Sequence, residues 1–121
     1  MEKQALQTAK VTISGNDTYE NIGTAIPLNM RRYIYSIKLI NANTTTNKIT
    51  IADRLGVAAE TEKDIFYLVT SYETLIHPDE LKEDSSPIYI FEASSSTADR
   101  YIRVKATTLG AIITIWYTDE E

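Results

Sequence analysis

Cysteine is absent from this 121-residue chain, which removes disulfide staples, thiolate nucleophiles and Cys-based metal sites together. Histidine occurs once, as His77. A single imidazole cannot supply the His-plus-carboxylate cluster of a double-stranded β-helix metalloenzyme. With no Gly-x-Ser-x-Gly elbow, it also has no serine nucleophile to serve. The four glycines, Gly15, Gly23, Gly56 and Gly110, stand apart from one another and suit turns rather than a phosphate cradle. No apolar run approaches the roughly 20 residues that span a bilayer. The opening Met1-Glu2-Lys3-Gln4-Ala5-Leu6 has no signal-like apolar core. These features point to a chain made and kept in a cytoplasm, without a membrane.

Cations are fewer than anions, 12 Lys and Arg against 17 Asp and Glu, for a net charge of −5. That balance argues against non-specific attraction to nucleic acid. The acidic excess sits in Glu73, Asp79, Glu80, Glu83 and Asp84 and in Asp119-Glu120-Glu121, which read as solvated loops and a tail. Their spacing lacks the glycine-turned pattern of a calcium loop, so no metal or cofactor is expected.

What the chain does have is alternation. In residues 33–40 the odd positions are all apolar or aromatic, the two-residue period of a strand. A polar block, residues 41–47, leads to Lys48-Ile49-Thr50-Ile51-Ala52, and the two together read as a hairpin. Residues 101–106 and 111–118, joined through Thr107-Thr108-Leu109-Gly110, read as a second. Further strands are expected at 9–14, 22–28, 65–70, 74–77 and 87–93, with a short helical turn at 78–82. Segment 64–76 also fits a helical face, but its Ile, Phe, Tyr, Val and Thr favour strands. About eight strands at this spacing predict one all-β domain over 1–121, an antiparallel β-sandwich of jelly-roll type. Residues 1–8 form a flexible lead and 119–121 an acidic tail in that reading.

Two segments, Ile65-Phe66-Tyr67-Leu68-Val69 and Ile88-Tyr89-Ile90-Phe91, are apolar on both faces, and a two-layer sandwich wets one face of each strand. A second cover is therefore expected, either a loop of the same chain or, the favoured reading, another subunit with Phe66, Leu68, Tyr89 and Phe91 as its anchors. Basic and aromatic residues interleave in Arg31-Arg32-Tyr33 and along β-spaced Tyr101, Arg103 and Lys105. Such a stripe tracks a partner or pairs with acidic neighbours. Trp116, Tyr117 or Tyr101 offers a stacking platform for a sugar, although a lone Trp in a β domain is more often core or interface.

The order Ile26-Pro27-Leu28-Asn29-Met30-Arg31-Arg32, the aromatic strand 33–40, the Asn/Thr turn and Lys48-Ile49-Thr50-Ile51 resembles small jelly-roll virion proteins of tailed phages and related viruses. Pro87-Ile88-Tyr89-Ile90 and residues 111–117 take the later places in that layout. The resemblance implies a capsid decoration or head-associated protein, commonly a trimer clamping neighbouring capsid subunits. The function expected is thus a non-enzymatic, self-associating structural protein with a capsid protein as partner. The alternative is a ligand-binding β-sandwich such as a carbohydrate-binding module.

Overall fold

A computed structural model describes residues 6–69, 73–77, 86–93 and 98–121. These described residues form nine strands: β1 (Gln7–Thr12), β2 (Glu20–Asn21), β3 (Arg31–Asn41), β4 (Asn47–Leu55), β5 (Thr61–Leu68), β6 (Glu73–His77), β7 (Tyr89–Glu92), β8 (Arg100–Ala106) and β9 (Ile112–Glu120). Sheet A has the order β1-β9-β3-β6, with β7 also on β3, and sheet B the order β2-β8-β4-β5. Every pairing is antiparallel. The partners nest: β1 with β9, β2 with β8, β3 with β6 and β7, and β4 with β5. A long antiparallel ribbon turned at β4–β5 and wrapped into two sheets gives this nesting, which is the jelly roll.

The 3–4 and 8–9 pairs are not hairpins. β3 pairs with β9, β6 and β7, while β4 pairs with β5 and β8. Their apolar faces oppose each other across the core: Ile37 and Leu39 come from one sheet, Ile49 and Ile51 from the other, all at 1 % exposure or less. The linking loops must therefore span the sheet separation of about 10 Å, and asparagines brace them. Asn41 Nδ2 donates to the Thr45 carbonyl at 3.0 Å. Asn47 Nδ2 donates to the Thr108 carbonyl at 2.9 Å, and its Oδ1 accepts from Thr108 N and Thr107 Oγ1, both at 3.1 Å. Gly110, at φ 96°, completes the β8–β9 loop by donating its N–H to the Ile13 carbonyl at 2.8 Å.

Other expected boundaries move for local reasons. Segment 22–28 forms no strand. Gly23 and Asn29, at φ 80° and 64°, bend the chain around Ile22 and Ile26, which are buried and hydrogen-bonded to the Ile102 and Arg100 carbonyls. β1 begins at Gln7, inside the segment expected to be a flexible lead. Of segment 64–76, the described residues 64–68 and 73–76 are strand. The helical turn expected at 78–82 lies outside the described residues, as do Asp79, Glu80, Glu83 and Asp84. β9 continues to Glu120, so most of the expected acidic tail is sheet.

A β-bulge changes the phase of β3. Register with β9 shifts between Ile34 and Ser36, leaving Tyr35 as the extra residue. Before it, the even residues Arg32 and Ile34 face the core. After it, the odd residues Ile37 and Leu39 do. A single inserted residue has this effect because side chains alternate with period two.

Candidate interaction surface

The charged outer face of sheet B is internally committed. Arg103 Nε lies 3.3 Å from Glu60 Oε1, which also pairs with Arg54 at 3.7 Å. Lys105 Nζ reaches Asp17 at 3.4 Å and lies 4.7 Å above the Tyr19 ring. Tyr101 donates its hydroxyl to Asp99 at 3.3 Å. Burial, partly offset by the nearby Lys105 charge, pushes the Tyr19 phenol above its ordinary pKa. The stripe Tyr101, Arg103 and Lys105 thus finds acidic partners within its own chain, the second of the two uses its sequence suggested.

Arg31 and Arg32 are also engaged. Arg31 pairs with Glu92 at 3.4 Å on the surface. Arg32 is 1 % exposed and grips Asp119 with two hydrogen bonds, Nε to Oδ1 at 2.7 Å and Nη2 to Oδ2 at 2.8 Å. Its Nη1 donates to the Thr24 carbonyl at 2.8 Å, and the guanidinium lies 4.3 Å from the Tyr117 ring centre. Such a fork-to-fork pair joins the start of β3, the end of β9 and the β2–β3 loop. Gly23 lies close by at φ 80°, where a Cβ would come within 3.2 Å of Ala9 Cβ and into ordinary contact with Arg32 Nη1 at 3.5 Å.

The four anchors expected from the doubly apolar strands turn inward. Leu68 and Phe91 are 1 % and 3 % exposed, and Phe66 and Tyr89 pack against the same core. Burying such a side chain supplies roughly 1.5–3 kcal/mol, which pulling it out for another chain would forfeit. Tyr89 also donates its hydroxyl to Asp64, and Lys63 Nζ lies 5.4 Å from the Phe91 ring. These contacts join β7 of sheet A to β5 of sheet B and close that edge of the sandwich. The residues that leave the core on the same segments are Tyr67, Val69 and Ile90, at 64 %, 59 % and 46 % exposure.

The three aromatic residues considered for a sugar platform lie on different surfaces. Trp116 and Tyr117 are consecutive on β9, so they face opposite sides, and Tyr117 is buried. Tyr101 belongs to the other sheet.

Sequence reading missed the outer face of sheet A. Register places its residues in rows across the strands. Ile112 lies beside Ile40, and Ile40 beside Thr74; Lys10 lies beside Thr114, Thr114 beside Lys38, and Lys38 beside Ile76. Thr8 lies beside Trp116 and Trp116 beside Ser36; Thr118 lies beside Tyr33 and Tyr33 beside Ile90. A final row holds Glu120, Arg31 and Glu92. Ile40, Ile112, Ile76, Trp116, Tyr33 and Ile90 thus share one outward surface, and none of them belongs to the core cluster. Among the described residues, neither Lys10 nor Lys38 has an acidic partner.

Among the described residues no group of three or more His, Asp or Glu converges as a metal site, and no helix is long and apolar enough to cross a membrane. No protein-family model matches the chain, and no curated protein matches it.

Proposed function

We propose that this chain is a non-enzymatic structural protein that self-associates through the outer face of sheet A and serves as a jelly-roll component of a larger assembly. The virion proteins it resembles in layout are the model for that assembly, with a capsid protein as the further partner. One observation carries the reading: the two outer faces differ in kind. Sheet B meets water with the ion-paired Arg54, Arg103 and Lys105, whereas the outer face of sheet A carries six large apolar side chains in adjoining rows, Ile90 exposed and the other five half-buried. Contiguous apolar surface on a small domain marks an interaction site. Light scattering on the size-exclusion eluate tests it, with multiples of the 13.6 kDa chain mass expected. A monomer at about 100 μM, a concentration well above an ordinary dissociation constant, would remove self-association.

A glycan-binding use of the same face rests on Trp116, which lies beside Thr8 and the buried Ser36 in register and offers an aromatic surface. A glycan array probed with the native chain and with Trp116→Ala separates the readings. Binding that vanishes in the folded variant favours the glycan.

A further inference from the structure

We infer that the occupant of sheet A's outer face is a second copy of this chain, docked face to face across a two-fold axis that lies in the contact plane and runs across the strands. This rests on the self-association proposed above and adds its symmetry and its register. The argument is the polarity of the face along the strand direction. Lys10 and Lys38 share one row and have no acidic partner among the described residues. Three rows away, the row of Glu120, Arg31 and Glu92 carries a net charge of −1 from two carboxylates and one guanidinium. Trp116, Tyr33 and Ile90 occupy the rows between.

An axis across the strands reverses this order in the facing copy, so each lysine row meets the other copy's glutamate row. An axis along the strands would instead put lysines over lysines. Rows repeat every two residues, about 6.6 Å, so the charged rows lie about 20 Å apart. The axis then passes midway between them, where the Trp116 row of each copy covers the Tyr33 row of the other. Lys38 falls opposite Arg31 and between Glu120 and Glu92, one strand spacing of about 4.8 Å to either side. That offset is within the sweep of a lysine side chain.

The area is that of a modest contact. In this register the four rows from the lysines to the glutamates overlap, about 26 Å along the strands, and four strands at about 4.8 Å span about 19 Å, which gives roughly 500 Å² per copy. Two copies bury roughly 1,000 Å², about the least that a specific interface clears and the size of a transient rather than a permanent one. A two-fold contact is also self-complementary by construction, which is what a face carrying both charged rows requires.

The test exchanges charges. Sedimentation equilibrium of the native chain is expected to give two copies, with a dissociation constant that rises with salt. Lys10→Glu with Lys38→Glu, and separately Glu92→Lys with Glu120→Lys, each weaken self-association by about tenfold or more. An equimolar mixture of the two variants regains a dimer holding one chain of each, as read by native mass spectrometry. Circular dichroism confirms that each variant is folded. Should a reversal fail to fold, Lys10→Gln with Lys38→Gln reads the same contact as a smaller weakening. A native monomer defeats both this inference and the self-association reading. A trimer, or a dimer indifferent to all these substitutions, defeats the two-fold register while leaving self-association standing.

Discussion

Replacing Asp119 with alanine should cost this domain far more than an ordinary surface substitution, because the charge left behind has no route to water. Arg32 is 1 % exposed and Asp119 supplies two of its three hydrogen bonds, at 2.7 and 2.8 Å. In Asp119→Ala the guanidinium keeps only the Thr24 carbonyl and the Tyr117 ring face. Breaking a buried pair from one side costs about 3–5 kcal/mol. A chain of 121 residues has a stability of roughly 6–18 kcal/mol, so the variant folds but with much of its margin gone. Arg32→Met should cost less, about 2 kcal/mol, since it removes the buried charge and keeps an apolar stem. Arg32→Met with Asp119→Leu should approach the native value, because neither partner is left unpaired. Urea unfolding at fixed, low chain concentration reads all three. At an m-value of about 1.5 kcal/mol/M, the Asp119→Ala midpoint falls by about 2–3 M. A fall under about 0.5 M, or a double variant as unstable as Asp119→Ala, would refute the reasoning.

Three other outcomes follow from the same structure. Asn47→Ala removes the amide that braces Thr107 and Thr108 and leaves the Thr108 N–H and carbonyl and the Thr107 hydroxyl short of a partner, so a loss on the order of 3 kcal/mol is expected in urea unfolding. Burial and the hydrogen bond to Asp64 hold the Tyr89 phenol above its ordinary 10.0; that stabilisation is full below about pH 10 and is lost as pH rises beyond it. Tyr89→Phe should therefore show a shallower alkaline fall in stability than the native chain, and equal slopes would contradict the assignment. Gly110→Ala places a side chain at φ 96° and 3.3 Å from Asn43 Nδ2, and a lowering of the thermal midpoint by a few degrees, about 1 kcal/mol or more, is expected.

Alternation made the strands legible, and strands in such number made the sandwich legible too. Pairing was a different matter, because alternation reports that a strand has one buried face and not which strand lies beside it. β3 and β4, separated by a short polar block, carry the same signal whether they lie side by side or oppose each other across the core. The distinction rests on Asn41 and Asn47, whose amides bridge loops that sequence leaves far apart: Asn47 reaches Thr108 and Asn41 reaches the Leu68 carbonyl. A polar block rich in Asn and Thr looks like any turn until its partners are known. Asp119 was obscured similarly. It reads as tail because it precedes two glutamates, and only the Arg32–Asp119 pairing of β3 with β9 shows that it lies at the core's end.

The outer face of sheet A was hidden for a more specific reason. Tyr33, Tyr35, Ile37 and Leu39 form an unbroken odd-numbered apolar series, and one continuous strand would bury all four together. The bulge at Tyr35 breaks that series in two. Ile37 and Leu39 stay inside, while Tyr33 goes out beside Ile90 and its place in the core falls to Ile34 and Arg32. An arginine in that series argues against burial until Asp119 is brought opposite it, and a tyrosine argues for burial until the phase has changed. The same inserted residue therefore sets both features: a buried ion pair that ties the sheet's centre together, and an outward aromatic row aligned with Ile90 and one row from Trp116. Periodicity can locate such a surface only after the bulge is known, whereas β5 and β7 look doubly apolar in sequence although Phe66, Leu68, Tyr89 and Phe91 all turn to the core.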